Sequence, residues 1–433
     1  MTAEVALLNK LGIALAADSA VTISEGSDSR KVFNTADKLF ELSRRQPIAC
    51  MVFSNLQFVQ APLQILIKEF RAQCSTYVTI AECSAALLDY LHAFSMKASD
   101  QIKQASIVQN ARAIYDVLVN RVNQHIERRL SDEQFFADAD DPAAKIRETF
   151  AEAWDTAISV LERFSESWPD AEFIGEYPPE MSLKALFGSV LDSVDQKPPE
   201  EKRDRVSDLM WALLKKASPL ESSTGVVVAG YGEDELFPTL DHFELYAPVM
   251  GALKFLRVER VDIARSGPRA RVMAFAQREM AERFLFGLDA QTKDKILHFS
   301  RSAIASIGDH AASLVEFGTE EEAQGFRNSV SSAEQAFVAG LESEGMETIR
   351  RESQSAVEDM VEFMPKQDLA EFAEALVNLS SLQRRVHSGF ETVGGPIDVA
   401  VISKSEGMVW VKRKHYFPQD LNARFFKRIG GEA

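Results

Sequence analysis

The sequence predicts an α+β protein in which sheets are layered inside helices. Two observations predict it. Strand-like and helix-like segments come in alternating blocks, and the opening segment is almost entirely short apolar runs split by turn residues. Residues 4–8, 13–17, 30–33, 39–42 and 48–53 are apolar or alternating, and Asn9, Gly12, Gly26 and Pro47 divide them, so a β meander opens the chain. From Leu56 the period becomes helical. Phe58, Leu63, Leu66 and Phe70 fall near one face, and Thr79 with Glu82 forms a capping box for a second helix reaching about Phe94. Helical patterning continues to about residue 217, where Ile146, Phe150, Trp154, Ile158 and Leu161 make the clearest apolar stripe, read as core. Pro-rich stretches at 176–179 and 197–201 read as loops within this block. Strand character returns at 225–231, 255–263 and 271–275. A second helical block follows from Glu279 to about Arg385, with Leu369, Phe372, Leu376 and Leu379 on one face. Strands at 397–403 and 408–412 flank a turn at Glu406 and Gly407.

With 433 residues, 46% of them hydrophobic and 26% charged, the chain has ample material for a core. No apolar run approaches the roughly 20 residues of a membrane-spanning helix. The N-terminus lacks the basic, apolar and small-residue succession of a secretory signal, so a cytoplasmic protein without a membrane anchor is expected. A net charge of −17 disfavours nucleic-acid binding, and the basic runs Arg128, Arg129 and Lys412, Arg413, Lys414 read as solvated element ends. Cys50, Cys74 and Cys83 contain no CxxC pair and read as buried small hydrophobes. The seven histidines show no metal-ligand spacing, and neither a G-x-S-x-G elbow nor a phosphate-binding GxxxxGK loop occurs. No metal or cofactor is therefore expected. Gly394 and Gly395 read as a tight turn before a buried strand.

The chemistry-bearing candidate is Thr2. Removal of Met1 exposes a hydroxyl and a free α-amine on one residue, which together are a nucleophile and its base. An α-amine with an ordinary pKa of about 7.7–8.0 accepts a proton near neutral pH, so no histidine is needed. Such a site also requires a cation to lower proton affinities and a carboxylate to hold that cation. Asp18, ending the second strand, and Lys38, opening the fourth, are placed to do this beside the start of the first strand. Backbone N–H groups in the turn at Ser54 and Asn55 are placed to hold an oxyanion.

The order Thr2, Gly12, Asp18, Lys38 resembles the N-terminal portion of proteasome β subunits and related bacterial peptidases, the threonine peptidases of the N-terminal-nucleophile (Ntn) hydrolases. The spacing from Thr2 to Asp18 needs no gap, and the polar loop SEGSDSR supplies the extra residues before Lys38. VVVAGYGEDELFP resembles the strand and turn after that family's helix pair, and TVGGPIDVAVISKSEG its Gly-Gly turn and hairpin.

This resemblance implies a four-layer αββα sandwich with large helical insertions. Residues 1–94, 223–290 and 386–433 would form the core, with insertions at 95–222 and 291–385. It implies hydrolysis of peptide amide bonds by Thr2 with Asp18 and Lys38, a substrate-backbone contact at Thr22, and a peptide or protein substrate. It also implies a homo-oligomer and, by analogy alone, an ATP-dependent unfoldase partner. The sequence departs from the family in places. Ser54 stands for the glycine of the oxyanion turn, and Phe275 for a supporting serine at the start of the third helix. Phe390 and Val393 stand for a later Asp and Ser, with Glu391 close enough to substitute in part. These departures leave two other readings open: a catalytically inactive scaffold or partner-binding subunit, and a small-molecule amidase or acylase of the same superfamily.

Overall fold

The computed structural model describes residues 3–25, 29–131, 141–264, 267–276, 279–315, 317–387, 394–418 and 420–430. In chain order it holds β1 (Ala3–Asn9), β2 (Gly12–Ala17), a hairpin of β3 (Val21–Glu25) and β4 (Ser29–Phe33), β5 (Leu39–Glu41) and β6 (Ile48–Ser54). A small hairpin of β7 (Gln57–Phe58) and β8 (Ala61–Pro62) leads into α1 (Leu63–Gln73) and α2 (Ile80–Met96). Next come α3 (Asp100–Leu130), α4 (Pro142–Ser165), β9 (Glu172–Ile174), α5 (Glu180–Ser193) and α6 (Arg203–Leu214). Strands β10 (Thr224–Gly230), β11 (Thr239–Leu245), β12 (Leu253–Asp262) and β13 (Ala270–Ala276) follow. They precede α7 (Glu279–Phe286), α8 (Ala290–Ser313), α9 (Glu320–Gly340), a π-helical segment Leu341–Met346, α10 (Glu347–Glu362) and α11 (Lys366–His387). Last are β14 (Asp398–Ser403), β15 (Gly407–Lys412) and α12 (Ala423–Gly430).

The chain is a mixed α+β protein with antiparallel sheets. Among the described residues one sheet runs β13-β1-β2-β14-β15 and another β5-β6-β10-β11-β12-β9. Strands β1 and β2 are apolar on both faces because both faces are covered. Ala6, Leu8, Ile13 and Leu15 meet Met51, Val227 and Leu240 of the other sheet, while Val5, Leu7, Ala14 and Ala16 pack on Leu285, Val361, Leu369 and Leu376 from α7, α10 and α11. The far face of the six-stranded sheet contributes Cys50, Val52, Val226 and Phe243 to a third core with Leu66, Phe70, Leu87 and Leu91 of α1 and α2. Burying each such side chain contributes about 1.5–3 kcal/mol. Helices α3 to α6 form a core of their own around Tyr115, Trp154, Ile158, Phe187 and Met210. No helix among the described residues is long and apolar enough to cross a membrane.

Several sequence expectations need correction. Helix α1 starts at Leu63 rather than near Leu56, because the β7–β8 hairpin occupies the interval. Strand β11 was not expected: it carries Asp241, His242 and Glu244 yet is buried along most of its length, and the register shift opposite His242 and Phe243 is taken up by Val258 of β12. Arg257 and Arg260 pair with the fully buried Asp241 and make that carboxylate tolerable inside the sheet. The first helical block is not wholly helical, since β9 pairs with β12 at the sheet edge. Phe275 lies on β13, in keeping with the strand read at 271–275, so its alignment with a serine at the start of a helix does not hold. Ile146 is 49% exposed and lies outside the core that Trp154 anchors. Cys50 and Cys83 are buried as expected, but Cys74 is only half-buried. Thr79 caps α2 by accepting from Glu82 N–H, whereas the Glu82 carboxylate reaches back to Val78 N–H.

A second buried charge pair lies away from the β1–β2 hairpin. Lys254 Nζ is 2.6 Å from Glu221 Oε1, and Asn110 of α3 donates to the same carboxylate at 3.2 Å, tying the helical block to β12. Burial raises the pKa of Glu221 and lowers that of Lys254 despite their mutual attraction, so desolvation outweighs the pair's Coulomb gain. Lys254→Met alone therefore strands a buried carboxylate and costs about 3–5 kcal/mol, while Lys254→Met with Glu221→Leu is neutral or stabilising by about 1–4 kcal/mol, as read by urea denaturation. At Gly12 an added Cβ meets the Ile402 carbonyl oxygen at 2.6 Å. Gly12→Ala is expected to push β14 from β2 and lower stability by about 1–3 kcal/mol in the same assay.

Candidate active site

The β1–β2 register sets the site. Glu4 stands opposite Ala17, so Asp18 emerges beside Ala3. Its backbone N–H donates to the Ala3 carbonyl at 3.1 Å, and its Oδ1 accepts the Ala3 N–H at 3.2 Å. The other oxygen, Oδ2, accepts from Gly394 N–H at 3.0 Å. Ser19 fixes the same turn by donating its hydroxyl to the Pro396 carbonyl at 2.6 Å. Lys38 precedes β5, where its carbonyl accepts from Val52 N–H at 2.8 Å. Its side chain runs inward so that Nζ lies 2.5 Å from Asp18 Oδ1 and 3.3 Å from Glu4 Oε1. All three side chains are fully buried.

An ammonium shielded from water loses its hydration, and only close carboxylates offset that loss. Lys38 has two. Asp18 also uses both oxygens, one toward the start of β1 and one toward the Gly394 turn, so it fixes three chain segments around one charge.

Asp18 and Lys38 thus meet next to Ala3, one peptide unit from Thr2. Thr2 itself and Glu391 lie outside the described residues. Ser54 ends β6 in the left-handed region at φ 67°, opposite Thr224. Asn55 follows, and its Oδ1 accepts from Gln57 N–H at 3.1 Å in an Asx turn, while Thr224 Oγ1 donates to the Asn55 carbonyl at 2.8 Å. Thr22 sits on β3 opposite Val32. A cavity of about 440 Å³ lies between these parts, lined by Val21, Asp37, Val52, Leu56 and Gln57 among others. No group of three or more His, Cys, Asp or Glu side chains among the described residues is arranged to hold a metal ion.

Glu4 was missed as a site residue. Its signal was a carboxylate heading an otherwise apolar strand, AEVALLN. Gly394 was read only as a turn residue, and its N–H to Asp18 depends on a contact 376 residues away along the chain. Phe275 is paired with Glu4 across β1 and β13 and is buried against Phe53 and His242, with ring centroids 5.4 and 5.0 Å apart.

No protein-family model matches the chain, and no curated protein matches it. Among solved structures it is similar to a Gly-1 mutant of Anbu from Hyphomicrobium sp. strain MC1, at 11% identity and a TM-score of 0.27, over 100% of this chain and 96% of that one. That is a distant likeness.

Removing the cation from this cluster is the sharpest test of its energetics. Lys38→Met leaves two buried carboxylates facing one another and is expected to lower unfolding free energy by about 3–5 kcal/mol. Adding Glu4→Gln should recover part of the loss, a coupling that a double-mutant cycle by chemical denaturation would measure.

Proposed function

We propose that the chain is an Ntn hydrolase of the proteasome-like threonine peptidase type that cleaves peptide amide bonds. In this reading the covered sheets form the αββα sandwich of that superfamily, built from 1–94, 223–290 and 386–433 with 95–222 as an insertion; 291–385 is not wholly an insertion, because α10 and α11 supply the helices that cover the five-stranded sheet. The observation that carries the proposal is the Asp18 carboxylate, which holds Lys38 and accepts the N–H of the residue immediately after Thr2.

The Thr2 hydroxyl attacks the peptide carbonyl carbon, and its proton passes to the α-amine of the same residue. The tetrahedral oxyanion is held by backbone N–H groups near Ser54 and Asn55, with Thr22 contacting the substrate backbone. Collapse breaks the C–N bond, the amine returns the proton to the departing nitrogen, and an ester to Thr2 remains. Water hydrolyses that ester to release the acid and restore the hydroxyl. Lys38 supplies positive charge that lowers proton affinities nearby, Asp18 orients it, and Glu391 stands in part for a missing supporting carboxylate. The substrate is a peptide or protein and the working form a homo-oligomer. An ATP-dependent unfoldase partner rests on analogy alone.

A second reading, an inactive scaffold or partner-binding subunit, is favoured by one observation. Phe275, which the resemblance aligns with a supporting serine, is a buried aromatic that offers no hydrogen-bonding group.

A peptide epoxyketone separates the two. On the hydrolase reading, intact-mass measurement finds Met1 removed, and the reagent adds one equivalent at Thr2 that Thr2→Ala abolishes. Lys38→Arg, which retains the charge but not the point-like ammonium, is expected to slow peptide hydrolysis by about 10²–10⁴-fold in steady-state kinetics. A retained Met1 would remove the hydrolase mechanism, and a processed terminus that never reacts would favour the scaffold reading.

A further inference from the structure

A cavity of about 410 Å³, within the size range of small-ligand sites, lies between α3, the β7–β8 hairpin and the ends of β10 and β11. Its lining contains no charged side chain, although 26% of the chain's residues are Asp, Glu, Lys or Arg. Five of the side chains are carboxamides: Asn55, Gln57, Gln60, Gln109 and Asn110. A charged ligand group entering here would lose water without gaining a counter-charge. Each carboxamide, by contrast, presents both an acceptor oxygen and a donor NH₂. Asn110 is committed to Glu221, and Asn55 closes its own turn. Gln57, Gln60 and Gln109 are exposed, and among the described residues their side-chain amides have no hydrogen-bond partner within the chain, so they are open to a ligand in place of water. Alternating donors and acceptors on an uncharged ligand would satisfy them, and an extended peptide main chain has that pattern.

The hairpin wall is strained in a way that bears on this cavity. Val59 and Gln60 are the two central residues between the paired Phe58 and Ala61, and both have positive φ, 48° and 61°. That geometry is a two-residue type I′ turn, which Asn-Gly fills without strain; a β-branched valine at positive φ is an outlier. Strained non-glycine residues of this kind persist where a side chain is put to use. Here the strained turn carries Gln60 at the cavity wall, and the same segment begins with the proposed oxyanion residues Ser54 and Asn55.

We infer that this cavity binds an uncharged, extended stretch of polypeptide, namely a part of the substrate outside the bond that is cut. The assignment of a peptide rests on the hydrolase reading above, and it gives the helical block a purpose: α3 supplies one wall of the substrate site.

Full-length protein carrying Thr2→Ala is titrated into a fluorescein-labelled, end-capped peptide of alternating glycine and glutamine, and into its glycine-glutamate counterpart, in about 0.5 M salt to screen the chain's net charge. The neutral peptide is expected to bind at least about tenfold more tightly, since the lining offers the acidic one no counter-ion. Gln60→Gly should raise the melting temperature by relieving the turn while weakening binding at least about fivefold. Ala105→Trp, on the exposed face of α3, should fill the cavity and abolish binding with an unchanged melting temperature. Equal affinity for both peptides, a Gln60→Gly protein stabilised with unaltered affinity, or displacement by maltoheptaose but not by unlabelled peptide would overturn the inference. Binding is read without chemistry, so the two proposals fail separately. A Thr2→Ala protein that binds as described while its parent never hydrolyses peptides removes the hydrolase and leaves the cavity. A parent whose KM for the neutral peptide ignores Gln60→Gly and Ala105→Trp removes the cavity and leaves the hydrolase.

Discussion

One buried ammonium organises this molecule. Lys38 is held in the dry space between the sheets by Asp18 and Glu4; Glu4 lies on β1, and Asp18 is the residue that leaves its neighbour β2. A one-residue slip of β1 against β2 would turn Glu4 and its apolar neighbours to the wrong face. It would also part Asp18 from Ala3. The charge cluster and the strand register therefore support each other: the apolar alternation of AEVALLN chooses the face, and the lysine penalises every other choice. The same cluster gives the start of β1 a chemical environment, which is why the functional reading and the fold reading cannot be pulled apart at this point.

Much of this was legible in the residues. Strands β1, β2, β6, β10 and β14 are continuous apolar runs because both faces of each sheet are covered, and such runs announce themselves. Asp18 and Lys38 were identifiable as opposite charges at the ends of apolar strands that a sheet can bring together, although both prove to be buried. What stayed hidden depended on partners distant in sequence. β11 looks polar until Arg257 and Arg260 of β12 neutralise Asp241. The three residues of β9 are too few to show a period, and only the edge of β12 makes them a strand. Glu4 looks like a surface carboxylate until Lys38 arrives from another segment. Phe275 was legible as a strand residue from its own segment, ARVMAFA, although the resemblance aligned it with a serine at the start of a helix.

The helical blocks differ in how they are attached. Helices α3 to α6 enclose a core of their own, and ion pairs such as Arg205 with Asp155 and Glu162 lie on its half-exposed exterior, where each contributes little. Its attachment to the sheets combines apolar contact through Val249 with specific polar links: β9 extends the six-stranded sheet, and Asn110 reaches the buried Glu221. In contrast, α7, α10 and α11 are fastened by apolar contact with the five-stranded sheet and form part of its core. Deleting the first block would unravel a sheet edge, while deleting the second would expose a sheet face.

The pairing of β2 with β14 also sets a schedule. Asp18 and the Gly394 N–H that binds it are 376 residues apart, so at ribosomal speeds of about 5–20 residues per second roughly 20–75 s separate the synthesis of one from that of the other. Until then β2 is an open edge and Asp18 has a free oxygen. Completion of the cluster thus waits for the β14 segment to emerge, and a chain cut before Gly394 lacks one of the groups that hold Asp18.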